Sequence, residues 1–285
     1  MHAQGWIVSA GGKRMLAGLL AVGLLGACED REVSLQIVQM EIDGQCLLEA
    51  TSSVAATNAL GEGAVDLAVT TNYAVFPRVT NNMLDVTEVN SFSATDGRID
   101  THDVVLKEAI IRYESDEGLP ANLGDRRRVP LSGTIPVNAS AVVGMTVLTP
   151  AMIEELRASP RFLVTDSIDG TVFPVRTSVQ VLMRIVLKGE TLDGTDVTSN
   201  EFVFPVRVCN GCRVLFPPDA IDVSAPVQPN CLRLPDPEAD NQIIERLACQ
   251  LPGTDNNFVD CRECPGFAVD NLSAQLCQPA AGPRL

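Results

Sequence analysis

The chain is poor in the residues from which many active sites are built. Its 285 residues include two histidines, one tryptophan and two tyrosines, and aromatic residues make up only 4%. With His2 and His102 alone, histidine-based general acid–base chemistry has almost nothing to work with. No Gly-x-Ser-x-Gly elbow is there to present a nucleophile beside His102 and Asp103 or Asp100, so His102 reads as a lone surface-loop residue. Neither a Gly-x-Gly-x-x-Gly turn nor a Walker loop is present to cradle phosphate. Positive charge is scarce as well. Lys and Arg number 21 against 36 Asp and Glu, a net charge of -15, which argues against nucleic acid as a partner and against electrostatic binding to anionic lipid. The one basic run, Arg126-Arg127-Arg128, reads as a solvated loop. Long hydrophobic runs are missing too. Met15 to Ala27 is thirteen residues of Met, Leu, Ala, Gly and Val, and as a helix it would rise only about 20 Å, short of the roughly 30 Å hydrocarbon core of a bilayer.

What stands at the start of the chain instead is a leader. Residues 1–14 carry no acid and end in Lys13 and Arg14, directly before that apolar run, the layout of a secretory signal peptide. The run closes on Leu25-Gly26-Ala27-Cys28, a large apolar residue, two small ones and a cysteine. This ending resembles the lipobox of type II signal peptides of bacterial lipoproteins. The resemblance implies that residues 1–27 are removed, that the Cys28 sulfur is acylated, and that the acyl chains hold the protein on a bilayer, each buried methylene contributing about 0.8 kcal/mol. The expected location is the cell envelope. Glu29 and Asp30 follow the cysteine, a pattern that favours the inner membrane in some bacteria, but the outer membrane is the favoured expectation.

Loss of the leader removes Trp6, His2 and two positive charges, leaving 258 residues with 19 basic against 36 acidic, a net charge of -17. It also settles the cysteine parity. Nine cysteines less Cys28 leave Cys46, Cys209, Cys212, Cys231, Cys249, Cys261, Cys264 and Cys277, an even set that reads as a disulfide framework in an exported chain. Seven of the eight lie after residue 208, so complete pairing within the chain requires one of them to reach back to Cys46.

The middle of the chain is patterned for strands. Residues 34–42 alternate imperfectly and predict a first strand after a short tether, residues 28–33; residues 47–63 read as a loop. Val65, Leu67, Val69, Tyr73 and Val75 share one parity and predict a half-buried strand, with Asn72 marking a turn or bulge. Strands are expected over 85–94 and 103–114 with Asp96-Gly97 in the turn between them. The second of these has the length of a helix, but β-branched residues and Tyr113 fill it. After a loop over 115–128, residues 131–138 alternate and predict an edge strand because of Pro136. A short helix is marked by Thr149 as cap, Pro150 at its first position, Glu154 and Glu155 early, and Pro160 beyond its end. A long hairpin follows, with Val179, Val181, Met183, Ile185 and Leu187 on one face, Asp193-Gly194 in the turn, and Phe202, Phe204, Val206 and Val208 facing inward on the return. The fragments Val75-Phe76-Pro77, Val172-Phe173-Pro174 and Val203-Phe204-Pro205 recur without a fixed spacing and read as strand ends or edges.

Seven or so strands with one short helix predict an all-β fold, an antiparallel β-sandwich over residues 34–209. In architecture it resembles immunoglobulin-like or fibronectin type III-like domains, without the buried Trp of antibody domains. Residues 210–285 hold ten of the eighteen prolines and no Lys. They read as a disulfide-rich, mostly irregular C-terminal module, with one helix capped by Asp240. A unit so short and poor in large apolar residues needs covalent staples.

Two Cys-x-x-Cys pairs, Cys209 to Cys212 and Cys261 to Cys264, invite a zinc or redox reading. The 48 residues between them exceed the usual ribbon loop, three more cysteines after residue 208 would remain to be explained, and no helix follows Cys212 to lower a thiol pKa. The turns Asp166 to Asp169 and Asp193 to Asp196 match no EF-hand loop and are explained by turn chemistry. No residue set is therefore assigned a catalytic, cofactor or metal role. The expectation is a lipid-anchored envelope protein with a binding or structural role, meeting the membrane through Cys28 and an envelope protein or glycan as partner. The layout loosely resembles the uncharacterised cysteine-rich lipoproteins of myxobacterial-type envelopes. The alternatives are an extracytoplasmic carboxylate-dependent hydrolase, recognisable by two carboxylates converging in a pocket, and a metal-binding or redox cysteine module.

Overall fold

The computed structural model describes residues 34–42, 59–84, 101–116, 119–120, 123, 126–168, 171–174, 177–216 and 251–277. The leader, Cys28, Cys46, Cys231, Cys249, the strand expected over 85–94 and the helix expected at Asp240 lie outside them.

Alternating apolar residues drive the first strands. β1 (Leu35–Glu41) pairs antiparallel with β3 (Tyr73–Asn81), and between them in sequence comes β2 (Gly63–Asp66). The single strand expected through Val65 and Val75 is thus two strands in two different sheets. Leu67, Ala68 and Val69 form the turn between them and are buried like strand residues, which is why their parity imitates a continuous strand. β4 (Val104–Glu114) is the strand expected there and not a helix. Its register shift against a later strand, between Lys188 and Gly189, leaves Val104 and Leu106 facing the core before the irregularity and Ala109, Ile111 and Tyr113 after it.

β5 (Arg127–Pro130), β6 (Thr134–Ile135), β7 (Ser140–Val142) and β8 (Met145–Leu148) follow. Two expectations need correction here. Arg127 and Arg128 lie in an edge strand, not in a loop; Arg128 points its guanidinium at Glu108, 3.5 Å away. The strand expected over 131–138 shrinks to β6, because Gly133 at φ 145° and Asn138 at φ 54° turn the chain on either side.

The helix α1 (Pro150–Ala158) begins as expected, with Thr149 extended at the cap and Pro150 in the first turn, though the Thr149 side chain makes no capping bond. It buries Met152, Ile153 and Leu156. β9 (Thr165–Ile168) and β10 (Thr171–Pro174) form a small hairpin. β11 (Thr177–Thr191), β12 (Asp196–Thr198) and β13 (Phe202–Asn210) make the long hairpin; the expected inward residues from Val179 to Leu187 and from Phe204 to Val208 are buried, and Phe202 is partly buried against the same core. The chain ends its described course in β14 (Val214–Leu215), β15 (Val259–Asp260), α2 (Cys264–Phe267) and α3 (Asn271–Leu276).

The fold is all-β with short helices. One sheet runs β1-β3-β7, with β8 also on β3; the other runs β2-β13-β11-β4-β5, with β12 on β11 and β6 on β4. Among the described strands, pairing is antiparallel except for β2 with β13 and β14 with β15. Both large sheets contribute to one apolar core, which joins Ile37 and Val79 of the first to Ile111, Ile185 and Phe204 of the second and to Leu156 of the helix. Full burial of each such side chain stabilises the fold by about 1.5–3 kcal/mol. A second, smaller core gathers Ala68, Val69, Val214, Val259, Leu276 and the buried cysteines. Pro205 of the third recurring fragment sits one residue outside the β2 ladder, which starts at Gly63 opposite Val206, so its missing N–H disturbs no bond there.

Candidate functional site

The chemistry-bearing residues of the described chain gather where the β2–β3 turn meets the cysteines. β13 delivers Cys209 to the end of the seven-stranded sheet, Gly211 turns the chain back at φ 79°, and Cys212 returns to close a disulfide with Cys209. Cys264 and Cys277 form a second disulfide across α2 and α3, and Cys261 is disulfide-bonded as well. Five of the eight candidate cysteines are therefore oxidised. All but Cys212 of these five are fully buried.

Asp66 lies against the first disulfide. Its Oδ1 accepts the amides of Ala68 (3.0 Å) and Gly211 (2.7 Å), and its Oδ2 accepts that of Arg213 (2.7 Å). Asp66, Cys209 and Cys212 bring a carboxylate oxygen and two sulfurs within 4.8 Å of one another. The donor set does not fit a metal centre: the sulfurs are bonded to each other, and the carboxylate holds three backbone amides. The same contacts argue against an activated thiol, since a carboxylate beside a nascent thiolate opposes its charge. Fully buried, the carboxylate is a keystone for the Asn210–Arg213 turn.

A second, half-buried carboxylate sits close by in the fold. Asp255, at φ 43°, accepts from the Ala64 amide at 3.0 Å and from the Tyr73 hydroxyl at 2.7 Å. Burial pushes the Asp255 carboxyl above the usual carboxylate range, against the pull of Tyr73, Ala64 and Arg213 in the other direction. Burial likewise raises the Tyr73 phenol, with the Asp255 charge adding to it. Arg213 completes the group, its guanidinium 4.7 Å from the centre of the Phe258 ring. From the helix side Arg157, 7% exposed, donates to the Leu67 carbonyl through Nε and Nη2 and pairs with Glu154 at 2.6 Å. In the smaller sheet Glu41 and Arg78 form a buried two-point ion pair, with Arg78 Nη2 and Glu41 Oε2 3.1 Å apart.

Among the described residues, which do not include Asp100, those weighed for catalysis do not converge. His102 bonds through Nδ1 to the Leu84 carbonyl at 2.8 Å. Asp103 accepts the Val137 amide at 3.0 Å. Asp193 is held below the ordinary carboxylate range, chiefly by the Thr191 hydroxyl and then by Thr195, the self-contained turn chemistry anticipated for it. A small apolar cavity of about 10 Å³ lies among Tyr113, Leu123, Leu156, Met183 and Val206, and no carboxylate lines it. That is about the room one water needs, with no polar partner to hold it.

Asp66, Asp255, Arg157 and the Glu41–Arg78 pair were not singled out from sequence, and Tyr73 was read only as an apolar strand residue. The available signals were local: one acid inside the apolar stretch Gly63 to Val69, and an Arg next to the buried Leu156 in a helix.

No protein-family model matches the chain, and no curated protein matches it. Among solved structures it is similar to the solution structure of a protein described as late embryogenesis abundant, at 14% identity, over 52% of this chain and 68% of that one, with a TM-score of 0.26. At that score the likeness transfers neither fold nor function.

Proposed function

We propose that this protein is a lipid-anchored scaffold of the bacterial cell envelope, held on a membrane by acylated Cys28 and acting by binding or by structural support, not by catalysis. The observation that carries the reading is the consumption of the buried reactive groups in structural bonds. Asp66 holds three amides, Asp255 holds Ala64 and Tyr73, Arg157 holds the Leu67 carbonyl, and five cysteines are oxidised. The disulfides accord with an oxidising compartment, and the lipobox-like ending at Leu25-Gly26-Ala27-Cys28 names the anchor. The outer membrane is the favoured site, and an envelope protein or glycan the favoured partner.

The finer fold reading belongs to the same proposal: two sheets facing across one core form a β-sandwich of immunoglobulin-like or fibronectin type III-like kind, antiparallel but for β2 against β13. Within it, residues from 210 onward act as a stapled extension. The test is fractionation of cells that express the full chain with Cys28 intact or as Cys28→Ser. The intact chain should carry acyl groups on Cys28 and sediment with membranes, and the variant should remain unlipidated. Membrane association of Cys28→Ser through an uncleaved leader would overturn the anchor. Turnover of a polymeric envelope substrate that is lost with Asp66→Asn or Asp255→Asn would overturn the scaffold.

A further inference from the structure

β2 is the outermost strand of the seven-stranded sheet, and an edge strand exposes a row of backbone donors and acceptors to any other chain. Along a strand, N–H and C=O groups point alternately to either side. Toward β13 the ladder continues as far as the Leu67 amide, which donates to the Cys209 carbonyl at 2.7 Å. Ala64 and Asp66 point the other way, and there residues 252–255 cover them. The Asp66 amide donates to the Gly253 carbonyl at 2.8 Å, and the Asp255 amide donates to the Ala64 carbonyl at 2.7 Å. Val65 and Thr254 form an antiparallel bridge. The Ala64 amide is met by the Asp255 carboxylate, which stands where a neighbouring strand would place a carbonyl.

The segment is shaped for this position and no other. Gly253 sits at φ 77°, and a Cβ on it would fall 2.3 Å from a Val69 methyl. Gly63, at the start of β2, leaves the space in which the Tyr73 hydroxyl reaches Asp255; a Cβ there would lie 2.2 Å from that oxygen. The Thr70 hydroxyl donates to the Pro252 carbonyl at 2.6 Å. Beyond the segment, β15 pairs with β14, and the chain enters the Cys261, Cys264 and Cys277 cluster. The strap is therefore pinned along the edge by polar bonds and at its C-terminal end by a covalently stapled core.

We propose that residues 252–255 are a built-in edge guard: a strap that occupies the open side of β2 in cis and prevents the seven-stranded sheet from adding the β2 edge of a second copy of this chain. Lifted, it bares the Ala64 and Asp66 backbone groups on a strand whose four residues are otherwise wholly buried. Two such edges are self-complementary in antiparallel orientation.

The test is amide hydrogen exchange together with sedimentation equilibrium on the full chain, with Tyr73→Phe as the mild variant, Asp255→Ala as the severe one and Asp255→Asn as the conservative one. The guard requires exchange at the Ala64 and Asp66 amides to rise at least about tenfold in Asp255→Ala, and less in Tyr73→Phe, while β4 and β11 stay protected. It also requires a concentration-dependent shift from monomer to dimer in the same order, with Asp255→Asn remaining monomeric. Local loosening without self-association overturns the guard. Unchanged exchange at β2 overturns the strap as a separable element. If Asp255→Ala unfolds globally, Tyr73→Phe decides alone: uniform loss of protection in that variant shows a general stability role and rejects the proposal.

Discussion

The Tyr73 hydroxyl donates to Asp255 Oδ1 at 2.7 Å across 182 residues of sequence, with Tyr73 buried and Asp255 half-buried, and so fastens the strap to the first residue of β3. Because burial raises the Asp255 carboxyl in the folded chain, the folded state holds its proton more tightly than the unfolded one. The stability this contributes is fully present below the unfolded carboxylate pKa and is lost as pH rises through the folded value. Asp255→Asn keeps an acceptor for Tyr73 and Ala64 but removes the half-buried charge. Its melting temperature should therefore exceed that of the native chain at neutral pH, and the gap should close in acid. Thermal melts of both proteins between pH 3 and 8 measure this; a gap that widens in acid contradicts it.

Tyr73→Phe isolates the hydroxyl from the ring. The ring's place in the core is retained, while a half-buried carboxylate loses one of its two side-chain and backbone donors, at a cost of about 1–3 kcal/mol. Urea unfolding at neutral pH should show that loss. In the Asp255→Asn background Tyr73→Phe should cost less than in the native chain, because the hydroxyl then gives up a bond to a neutral amide and not to a carboxylate.

Asp66→Ala should be more damaging. Three amides, on Ala68, Gly211 and Arg213, lose one common acceptor in a fully buried site. Each orphaned donor costs about 1–3 kcal/mol, so destabilisation should exceed about 3 kcal/mol. With the disulfide intact, exchange at Gly211 and Arg213 should accelerate while the amides of β11 remain protected below the global transition.

The strands and the core of this fold were readable because their causes are local. Val179 to Leu187 and Phe204 to Val208 alternate cleanly, since each side chain meets either core or solvent, and β4, whose period is interrupted, was identified by its β-branched residues and Tyr113 instead. The signals failed where the cause is distant. Leu67 and Val69 are buried as strand residues would be, yet the turn they occupy is set by Asp66, Arg157 and Gly253, which are remote in sequence or carry no apolar signal. Arg127 and Arg128 looked like loop residues because charge suggests solvent, whereas an edge strand satisfies both backbone pairing and hydration. Asp255 was invisible for a like reason: within Gly-Thr-Asp-Asn it reads as turn chemistry, and only the β2 edge it covers gives it a further role.

The two described disulfides should differ in what they contribute. Cys209–Cys212 spans a sequence separation of 3 and Cys264–Cys277 one of 13. On the chain-entropy model the first restrains the unfolded chain by about 2 kcal/mol and the second by about 3 kcal/mol. Asp66 already orders the shorter loop through Gly211 and Arg213, so its opening should cost less still. Paired Ser substitutions of each bond, compared by urea unfolding, should place the Cys264–Cys277 variant below the Cys209–Cys212 variant. The longer bond also closes the core on which the strap rests, so its loss should raise exchange at Ala64 and Asp66.

The Glu41–Arg78 pair poses a different question, because it is buried yet takes no part in the cysteine cluster. Arg78 donates to both carboxylate oxygens, Gln39 adds a bond to Oε1 at 2.9 Å, and the two side chains are 7% and 5% exposed. Desolvation of two charges offsets most of their attraction, whereas removal of one takes from the other the opposite charge against which it was buried. Arg78→Met alone should therefore destabilise the fold by about 3–5 kcal/mol, and Glu41→Leu alone by a similar amount. The double replacement puts two apolar side chains of similar length between β1 and β3, where Met40 and Val79 are already buried neighbours in sequence. It should recover most of the loss and can surpass the native chain. A double-mutant cycle read by urea unfolding checks this. A double variant as unstable as the sum of the singles would mean that Glu41 and Arg78 act through separate contacts and not through each other.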